Sequence, residues 1–428
     1  MSKTKSTIKL LRMYESRNVL FAELDGSWPI VWERARGVYV WDADRRKYLD
    51  LTSAFGVAAA GHANRNVVKA GQAQMACLLH AMGDVHPHAL KASLACELSH
   101  LTFERWNRTT GKVVFSSSGF EAVETALKTA VLATGKAGII SFTGGYHGLG
   151  YGALNATHRE FFRESFGSQL RKFGRFAAYP TRPGDLPPLE AQLRQLFRRH
   201  AIGAIVVEPV QGRGGIQVPP RGFLPLLRRI CDQHGALLIL DEIYTGFGRT
   251  GKWFACEHSG VVPDLICLGK ALTGGFPMSV CVGSKKIMDQ AWPVSRGEAI
   301  HTSTFLGHPV GCAMALAQIR EIRRLKLFDR SRLLGDYLLA QLSRIKPNPK
   351  RVIATARGLG LMAGLELVLP DGRPATEIAL QAVKSLLHQG YIFLPEGEHS
   401  HVIGFTPPLI INRRQLRDAA AALAEVLS

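Results

Sequence analysis

The sequence lacks the features that mark secreted and membrane-spanning proteins. Its seven cysteines include no C-x-x-C pair, and most of them lie in apolar runs, where a reduced thiol acts as a small hydrophobic side chain. No stretch of about 18 apolar residues occurs. The longest apolar run in residues 1–18 is also too short for the core of a signal peptide. We therefore expect a cytoplasmic protein without disulfides, a secretion signal or a membrane span.

Acidic residues are also scarce. Against 53 Lys and Arg there are 34 Asp and Glu, so the formal net charge is +19. Such a surplus attracts anions, which include nucleic acids, acidic carrier proteins and small metabolites. The basic residues are dispersed, however, and the sequence has neither zinc-finger spacing nor an RNA-binding aromatic signature. We expect no specific nucleic-acid partner and no metal.

Length and hydrophobic periodicity predict an α/β fold. The 428 residues are 46% hydrophobic, which is enough for a large core and a second, smaller domain. From residue 112 onward, short apolar runs alternate with longer helical patterns, which favours a parallel or mostly parallel sheet covered by helices on both faces. The apolar runs are Val113–Phe115, Ile139–Phe142, Ala204–Val207, Leu237–Leu240, Leu265–Leu268 and Val280–Val282.

Other segments predict a smaller α+β domain built from both ends of the chain. Residues 29–52 alternate as antiparallel strands do. The last helix is predicted over residues 412–427, with a capping box at Asn412 and Gln415. Residues 358–367 resemble one strand, and the proline-rich residues 179–188 resemble a loop. The expected division is an N-terminal segment 1–70 of the small domain, a large domain 71–325 and a C-terminal small domain 326–428.

Two polar residues that end buried strands carry the strongest chemical signal. Asp241 closes the apolar run that ends at Leu240, and Lys270 follows the run that ends at Leu268. Because an α/β protein collects its catalytic groups at the carboxyl ends of its strands, we expect the two side chains at one site. A carboxylate can keep a pyridine nitrogen protonated and a lysine can form a Schiff base with an aldehyde, and pyridoxal 5'-phosphate needs both groups. Taken singly, the two residues could be a helix cap and a solvated end group.

Two further segments fit the same site. Ser118, Gly119 and Phe120 begin a helix after a strand, where free backbone N–H groups and the helix dipole form a phosphate cradle. A plain capped helix is the alternative. Tyr146 lies on a glycine-flanked turn after another strand, where its flat ring could stack on a planar cofactor. His147 beside it could be a pocket wall or a core histidine.

In their order along the chain, these motifs resemble those of the class III aminotransferases, the ornithine and 4-aminobutyrate type of the fold-type I pyridoxal-phosphate enzymes. The resemblance extends from about residue 29 to the C-terminus. It rests on the segments SSSGFEAVETALK, GGYHG, EPVQGRGG, LDEIYTGFGRTG, PDLICLGKALTGGFPMS, HTSTFLGHP and ARGLGLMAGLEL. It implies a mostly parallel sheet in the large domain, a smaller α+β domain, pyridoxal 5'-phosphate as cofactor and a homodimer.

The same resemblance implies roles for individual residues. Lys270 would hold the cofactor as a Schiff base and then shuttle the proton, and Asp241 would pair with the pyridine nitrogen. Tyr146 and Ile243 would contact opposite faces of the ring. The other implied cofactor contacts are Ser118, Gly119 and Phe120 at the phosphate, His147 and Glu208 beside the ring, and Thr304 at the phosphate of the neighbouring subunit.

The implied reaction is transamination, in which an amino group passes from an amino acid or an ω-amine to a 2-oxo acid through Lys270. Racemases, epimerases and aminomutases of the same family use the same cofactor and lysine, and they are an alternative. A cofactor-binding regulator that binds DNA is a non-enzymatic alternative, but the residues before position 29 are too few for a helix-turn-helix domain.

The sequence departs from the family's pattern at the substrate end of the site. Many relatives carry an acidic residue in EPVQGEGG that pairs with an arginine shortly before a C-terminal PPL, whereas these positions are Arg213 and Gly404 here. We hypothesise that Arg213 binds a substrate carboxylate through its planar guanidinium. A solvent-facing arginine on a glycine-rich loop is the alternative. Tyr244, a candidate substrate contact, and His308 stand where relatives often have Gln and Asn.

Overall fold

The computed structural model describes residues 2–23 and 27–428, which form three sheets and the helices around them. The α-helices are α1 Lys3–Tyr14, α2 Ser53–Gly56, α3 Arg65–Cys77, α4 Ala89–Leu101, α5 Phe103–Asn107, α6 Gly119–Thr134, α7 Tyr151–Leu154, α8 Glu160–Arg163, α9 Leu186–Arg199, α10 Phe223–His234, α11 Lys285–Ala291, α12 Pro309–Arg324, α13 Leu327–Leu342, α14 Thr376–His388 and α15 Arg413–Leu427. Short 3-10 helices cover Glu164–Phe166, Pro183–Asp185, Ala255–His258 and Lys270–Leu272. The strands are β1 Trp32–Arg36, β2 Tyr39–Asp42, β3 Lys47–Asp50, β4 Gly111–Ser116, β5 Gly138–Phe142, β6 Gly174–Ala177, β7 Ile202–Val207, β8 Leu237–Asp241, β9 Leu265–Leu268, β10 Ser279–Ser284, β11 Ile353–Leu359, β12 Met362–Val368, β13 Tyr391–Ile392, β14 Leu394–Glu396 and β15 Val402–Phe405.

A seven-stranded sheet of order β4-β10-β9-β8-β7-β5-β6 is the largest of the three. Every neighbouring pair is parallel except the two pairs of β10, which runs antiparallel to both β4 and β9. The predicted mostly parallel α/β sheet is therefore confirmed. The prediction missed β6, because its sequence Gly-Arg-Phe-Ala contains no apolar run.

The central strands are covered on both faces. Leu238 and Leu240 of β8 belong to one buried cluster of the core, whereas Ile239 between them belongs to a second cluster. Successive side chains of a strand point to opposite faces, so both faces of β8 are buried. A strand that is buried on both faces needs a continuous apolar run, and the sequence shows such a run here.

The parallel strands bring the predicted site residues to one edge of this sheet. Asp241 is the last residue of β8 and is the register partner of Cys267 in β9, and Lys270 follows β9 after Gly269. Strand β4 runs in the same direction as β9, because each is antiparallel to β10. The carboxyl ends of β4, β5 and β7 therefore lie at this edge and lead into Ser118, Tyr146 and Glu208.

Two four-stranded sheets, of orders β1-β2-β3-β13 and β11-β12-β15-β14, complete the fold. The antiparallel strands predicted in residues 29–52 are β1, β2 and β3. Strand β13 pairs in parallel with β3, with Tyr391 opposite Leu49, and so joins the C-terminal part of the chain to the N-terminal part. We retain a small domain built from both ends, with boundaries at residues 70 and 325, as a proposal.

The prediction of a single strand over residues 358–367 is wrong. The chain forms two antiparallel strands, in which Leu359 of β11 pairs with Met362 of β12. Gly360 makes the reversal with a φ of +59°, a left-handed conformation that glycine adopts without steric cost. The apolar run continues through the turn because Leu361 is itself buried, which hid the turn from sequence reasoning.

The prediction of a loop over residues 179–188 is wrong at its end. Residues 183–185 form a 3-10 turn, and α9 begins at Leu186 with Pro187 and Pro188 in its first turn. Proline is accepted there because the first N–H groups of a helix have no intrahelical partner, so nothing is lost with the missing donor. Proline marked the start of a helix here.

The predicted C-terminal helix is confirmed as α15, which begins at Arg413. The Asn412 side chain accepts a hydrogen bond from the backbone N–H of Gln415, and the Gln415 side chain accepts one from the backbone N–H of Asn412, each at 2.9 Å. This is the predicted capping box.

Within residues 2–23 and 27–428, no helix is long and apolar enough to cross a membrane. Across the same residues, no group of three His, Cys, Asp or Glu side chains is placed to hold a metal ion. The seven cysteines are free thiols, of which Cys77 and Cys96 are exposed and the other five are buried.

Candidate active site

A cavity of about 440 Å³ opens at the carboxyl edge of the seven-stranded sheet. Ten of the twelve residues predicted for the site line it: Gly119, Phe120, Tyr146, His147, Glu208, Arg213, Asp241, Ile243, Tyr244 and Lys270. The two others are Ser118, which precedes Gly119, and Thr304. We call this space the Lys270 cavity.

Asp241 is a buried carboxylate whose two oxygens have different partners. Oδ2 lies 2.8 Å from Nδ1 of His147, and Oδ1 accepts a hydrogen bond of 3.1 Å from the backbone N–H of Ile243. His147 therefore lines the Lys270 cavity and is also a buried histidine with a hydrogen-bond partner. Both interpretations of His147 from the sequence are correct. Burial opposes the charged imidazole, but the hydrogen bond to Asp241 and the charges of Asp241 and Glu208 outweigh burial and raise the pKa of His147.

Lys270 lies after the neighbouring strand, and its Nζ is 3.8 Å from the centroid of the Tyr244 ring. Its φ of +40° is in the left-handed region, where a residue with a side chain is strained by about 1 kcal/mol or more. Burial lowers the pKa of Lys270, although the charges of Asp241 and Glu208 raise it in part. A lowered pKa keeps more of the amine neutral near pH 7, which suits a nucleophile or a base.

Ser118 is the N-cap of α6 and offers an unpaired donor. The Glu121 carboxylate accepts hydrogen bonds of 2.8 Å from the backbone N–H groups of Ser117 and Ser118. The Ser118 hydroxyl is buried, and within the described part of the chain it donates to no acceptor. A free hydroxyl at the start of a 16-residue helix, where the helix dipole favours anions, fits a phosphate group.

Ile243 packs directly against the start of α6. A Cβ atom on Gly119 would lie 3.1 Å from Cδ1 of Ile243, so glycine is what allows this close approach. Tyr146 is half-buried in the same cavity, and its ring meets the ring of Phe162 edge to face at 5.6 Å between centroids. Both predicted ring contacts therefore face one space.

Glu208 is a buried carboxylate that connects two loops of the site. Its Oε1 accepts a hydrogen bond from the backbone N–H of Tyr146, and its Oε2 accepts one from the backbone N–H of Gly212, each at 2.9 Å. Burial raises the pKa of Glu208, and the charge of His147 lowers it in part. Glu208 therefore holds Tyr146 and the loop that carries Arg213 in fixed relative positions.

Tyr244 is a buried ring held tightly in one orientation. Its hydroxyl lies 3.1 Å from Oγ1 of Thr406. A Cβ atom on Gly56 or Gly212 would lie 2.4 or 2.3 Å from the ring, so both neighbours must be glycine. The ring thus presents a fixed face to Lys270, and its predicted contact with substrate stays a prediction.

Arg213 is paired with a carboxylate of its own chain. Its Nη1 lies 3.2 Å from Oε2 of Glu396, and the two side chains are 38% and 3% exposed. Gly404 makes room for this carboxylate, because a Cβ atom there would lie 3.1 Å from Cγ of Glu396. The sequence analysis did not predict a role for Glu396. The one signal was the glycine at position 404, which indicates that another group occupies the space of the missing side chain.

Thr304 and His308 do not line the Lys270 cavity. Thr304 is exposed and does not line the cavity of its own chain, so its contact with a neighbouring subunit stays a prediction. His308 is the N-cap of α12, and its ring lies 5.0 Å from the ring of Phe276 between centroids. It does not border the cavity directly.

Comparison with known proteins shows the family of the chain. The family described as aminotransferase class-III matches residues 21–427. The chain belongs to the class III aminotransferases. The 5-aminovalerate aminotransferase DavT of Pseudomonas aeruginosa is 38% identical over 412 residues, which cover 93% of each chain. Ornithine aminotransferase 1 of Staphylococcus aureus is 33% identical over 431 residues, which cover 98% of this chain and 99% of that one.

A solved structure places the fold in the same family. An amine transaminase from an uncultivated Pseudomonas species, in its PLP-bound internal aldimine form, matches 97% of this chain and 98% of its own with 30% identity and a TM-score of 0.86. The protein is therefore an aminotransferase that depends on pyridoxal 5'-phosphate (PLP), and it transfers an amino group from a donor to a 2-oxo acid. The racemase and regulator alternatives are not favoured, because these relatives are aminotransferases.

Proposed function

We propose that the Lys270 cavity binds pyridoxal 5'-phosphate and that Lys270 and Asp241 are the catalytic residues. One observation carries the proposal: a partly buried lysine whose amine has a lowered pKa and a buried carboxylate line the same cavity. Lys270 would hold the cofactor covalently through its aldehyde. Asp241 would keep the ring nitrogen protonated, because a nearby negative charge favours the cationic form.

The other cofactor contacts follow from the same cavity. We assign the phosphate to Ser118, Gly119 and Phe120, supported by the free Ser118 hydroxyl at the start of α6. We assign the two ring faces to Tyr146 and Ile243, which line one space. His147 and Glu208 would act chiefly as positioning residues, since their side chains bond Asp241 and the backbone N–H of Tyr146.

Lys270 is also the proposed base of the reaction. The bound cofactor supplies an electrophilic carbon that holds the donor's amino group and a ring that withdraws electrons from the neighbouring carbon. Lys270 Nζ, freed from the cofactor when the donor's amine takes its place, would take the proton from the carbon that bears this amine and would release it later in the transfer. Its lowered pKa makes the neutral amine available for this step near neutral pH.

We further propose that the donor is an amino acid or an ω-amine and that Arg213 binds the substrate carboxylate. The relatives named for 5-aminovalerate and ornithine support this donor class. Among the residues that line the Lys270 cavity, Arg213 is the one arginine. Replacement Arg213→Ala should weaken binding of carboxylate substrates about tenfold or more, as expected for the loss of a charged hydrogen bond. An unchanged affinity would rule out this role.

The half-reaction with an amino donor alone tests the catalytic assignment. The unaltered enzyme should convert its bound pyridoxal phosphate to pyridoxamine phosphate stoichiometrically, as followed by absorbance and by mass spectrometry of the released cofactor. The Lys270→Ala variant should not, whereas the exposed Lys285→Ala variant should behave like the unaltered enzyme. Conversion at the normal rate by Lys270→Ala would contradict the assignment.

We propose a homodimer in which Thr304 contacts the cofactor phosphate of the neighbouring subunit. The segment that carries Thr304 packs on residues 79–84, since Thr302 Oγ1 donates to Asp84 Oδ2 at 2.7 Å. Exposed apolar side chains lie in these two segments, namely Leu79, Met82 and Phe305. Such a patch marks an interaction surface.

Mixed dimers test this arrangement. If Thr304 acts across the interface, a dimer of one Lys270→Ala chain and one Thr304→Glu chain contains one intact site, because both defects fall in the other site. Mixing and refolding the two weak variants should then restore activity. If Thr304 acts within its own chain, every site carries one defect and no activity returns.

We also propose that the enzyme is cytoplasmic. The support is that its seven cysteines are all free thiols, two of them exposed. Fractionation of cells that produce the chain checks this, and recovery in an exported fraction with oxidised cysteines would contradict it.

A further inference from the structure

Three side chains around the end of α4 contact one another in a row. Cys96 Sγ lies 3.2 Å from Nε2 of His100, and Nδ1 of His100 contacts Oε2 of Glu104. The residues are four apart in each case, so each side chain lies about one helical turn after the last. None of them lines the Lys270 cavity. We call these three residues the Cys96 cluster, and it is separate from the proposed site of transamination.

The contacts of His100 decide where its ring carries a proton. A carboxylate only accepts hydrogen bonds, so the Nδ1 atom that contacts Glu104 carries a proton. In the neutral ring, Nε2 then has a free lone pair, and this is the nitrogen that lies next to the sulfur of Cys96. His100 is therefore placed to accept the proton of the Cys96 thiol.

Glu104 is fixed by a buried serine. Its Oε1 accepts a hydrogen bond of 2.6 Å from Ser99 Oγ, which itself accepts one of 2.8 Å from the backbone N–H of Gly111, the first residue of β4. The Ser99 hydroxyl lowers the pKa of Glu104, burial raises it in part, and the His100 ring lowers it further. Glu104 is therefore ionised at neutral pH and can stabilise a positive charge on His100.

The sulfur of Cys96 is open to solutes. Among the residues that the structure describes, Cys77 and Cys96 are the exposed cysteines, and Cys96 is the one of the two that contacts a histidine. The His100 side chain is 55% exposed, so it leaves the approach to the sulfur open. The other five cysteines are buried. Exposure and a neighbouring base therefore coincide at Cys96.

Cysteine, histidine and glutamate side chains also bind metal ions, but this arrangement does not favour a metal. Cys96 lies on the Nε2 side of the His100 ring and Glu104 on the Nδ1 side, so the three side chains do not converge on one point. A nucleophile, a base within hydrogen-bond reach and a third group that orients the base are instead the arrangement that activates a thiol.

We propose that Cys96 is a modification site that reacts with low-molecular-weight disulfides, with His100 as its base and Glu104 as a positioning residue. His100 Nε2 takes the thiol proton, and the Cys96 thiolate attacks one sulfur of the disulfide. A bond forms between the two sulfurs as the bond of the incoming disulfide breaks. The leaving thiolate takes the proton from His100 and departs as a free thiol. Cys96 is thereby oxidised and the incoming disulfide reduced, and no further reactant is needed.

Reaction of the holoenzyme with oxidised glutathione tests the proposal. Samples are quenched with acid at intervals, and peptide mass spectrometry measures the mixed disulfide at each cysteine. The matched control exchanges two exposed residues of α4, Ser93→Cys with Cys96→Ser, which moves the thiol about one turn along the helix and away from His100. Cys96 should react about tenfold or more faster than the thiol at position 93, because only Cys96 has a base within reach.

Variants of the two supporting residues separate their roles. His100→Gln is polar but is not a base, so it should lower the rate at Cys96 to about that of the control thiol. Glu104→Ala should lower the rate nearly as far. Glu104→Gln, whose amide oxygen can still accept from Nδ1 of His100, should recover part of it. The exposed His388→Gln, which also changes a histidine in the last turn of a helix, should leave the rate unchanged.

Two results would overturn the proposal. One is that Cys96 and the control thiol react at the same rate. The other is that His100→Gln leaves the rate at Cys96 unchanged, which would assign the reaction to exposure alone. The half-reaction with an amino donor, measured on every variant, checks that the fold is intact, since none of the substituted residues lines the Lys270 cavity.

Discussion

His147 Nδ1 and Asp241 Oδ2 lie 2.8 Å apart, and both side chains are buried. The other oxygen of Asp241 accepts from the backbone of Ile243. A carboxylate with partners on both oxygens is held in one orientation. That orientation matters because Asp241 is proposed to face a ring nitrogen, where a small displacement would weaken the ion pair.

Loss of the histidine should therefore slow the reaction without removing the cofactor. In His147→Ala, the buried Asp241 carboxylate loses its side-chain partner, which costs about 1–3 kcal/mol. We expect the rate of the half-reaction to fall about tenfold or more. In His147→Asn, an amide can still donate to Asp241, and a good part of the rate should return. Equal rates for His147→Ala and the unaltered enzyme in single-turnover measurements would show that this contact has no role in catalysis.

The free hydroxyl of Ser118 should contribute to cofactor affinity. If it donates to the phosphate, Ser118→Ala loses one hydrogen bond to an anion, and the Kd of pyridoxal phosphate should rise about tenfold. Titration of the apoenzyme, followed by fluorescence, measures this. Ser93→Ala removes an exposed hydroxyl on α4 and serves as the control. An unchanged Kd in Ser118→Ala would place the phosphate elsewhere.

The sheet and the positions of Asp241 and Lys270 at its edge could be predicted because each depends on local pattern. A strand buried on both faces needs an apolar run, and the residue after the run lies at the carboxyl edge, as Asp241 and Lys270 do. The direction of β10 could not be predicted, because an antiparallel strand in the sheet is just as apolar as its parallel neighbours.

The substrate end of the site could not be predicted, because its contacts are between residues far apart in sequence. Arg213 and Glu396 are 183 residues apart, and they meet because β14 of a separate sheet lies against the loop after β7. Nothing in the residues around Glu396 shows that it is buried. His147 was ambiguous for the same reason, since its partner Asp241 is 94 residues away.

Stability should depend on pH through another buried carboxylate, Glu242. It accepts hydrogen bonds from Thr245 Oγ1 and from the backbone N–H groups of Ala255 and Cys256. Burial raises its pKa from 4.5 to about 7. The folded protein therefore holds this proton more tightly than the unfolded chain does. The resulting stabilisation is complete below about pH 4.5 and is lost as the pH rises through about 7.

Urea unfolding at about pH 5 and pH 8 measures this contribution. Between these values, Glu242 should lower the free energy of unfolding by about 2–3 kcal/mol, since one pKa unit corresponds to about 1.4 kcal/mol. Glu242→Gln cannot titrate, so its loss of stability between the two pH values should be smaller by that amount. The exposed Glu398→Gln should keep the full dependence. The same dependence in Glu242→Gln would assign the effect to another group.

Arg249 is a buried arginine that holds three segments together. Its Nη1 donates to the carbonyl oxygens of Leu361 at 3.0 Å and Pro407 at 2.6 Å, and its Nη2 donates to Ser53 Oγ at 3.2 Å. These partners are neutral, so burial of the charge is not offset by an ion pair there, and burial lowers the pKa of Arg249 to about 10. The cation is nevertheless retained at neutral pH.

Lysine should therefore replace Arg249 less well than methionine does. Lysine keeps the cost of a buried charge, but its single ammonium cannot reach all three acceptors as the planar guanidinium does. Methionine loses the hydrogen bonds and also removes the charge. We expect Arg249→Lys to lower the free energy of unfolding by about 3 kcal/mol or more and Arg249→Met by about 2 kcal/mol. Urea unfolding at neutral pH measures both, with the exposed Arg413→Lys as control. If Arg249→Lys is as stable as the unaltered protein, the three hydrogen bonds of the guanidinium do not contribute to stability. A positive charge at this position would then be sufficient.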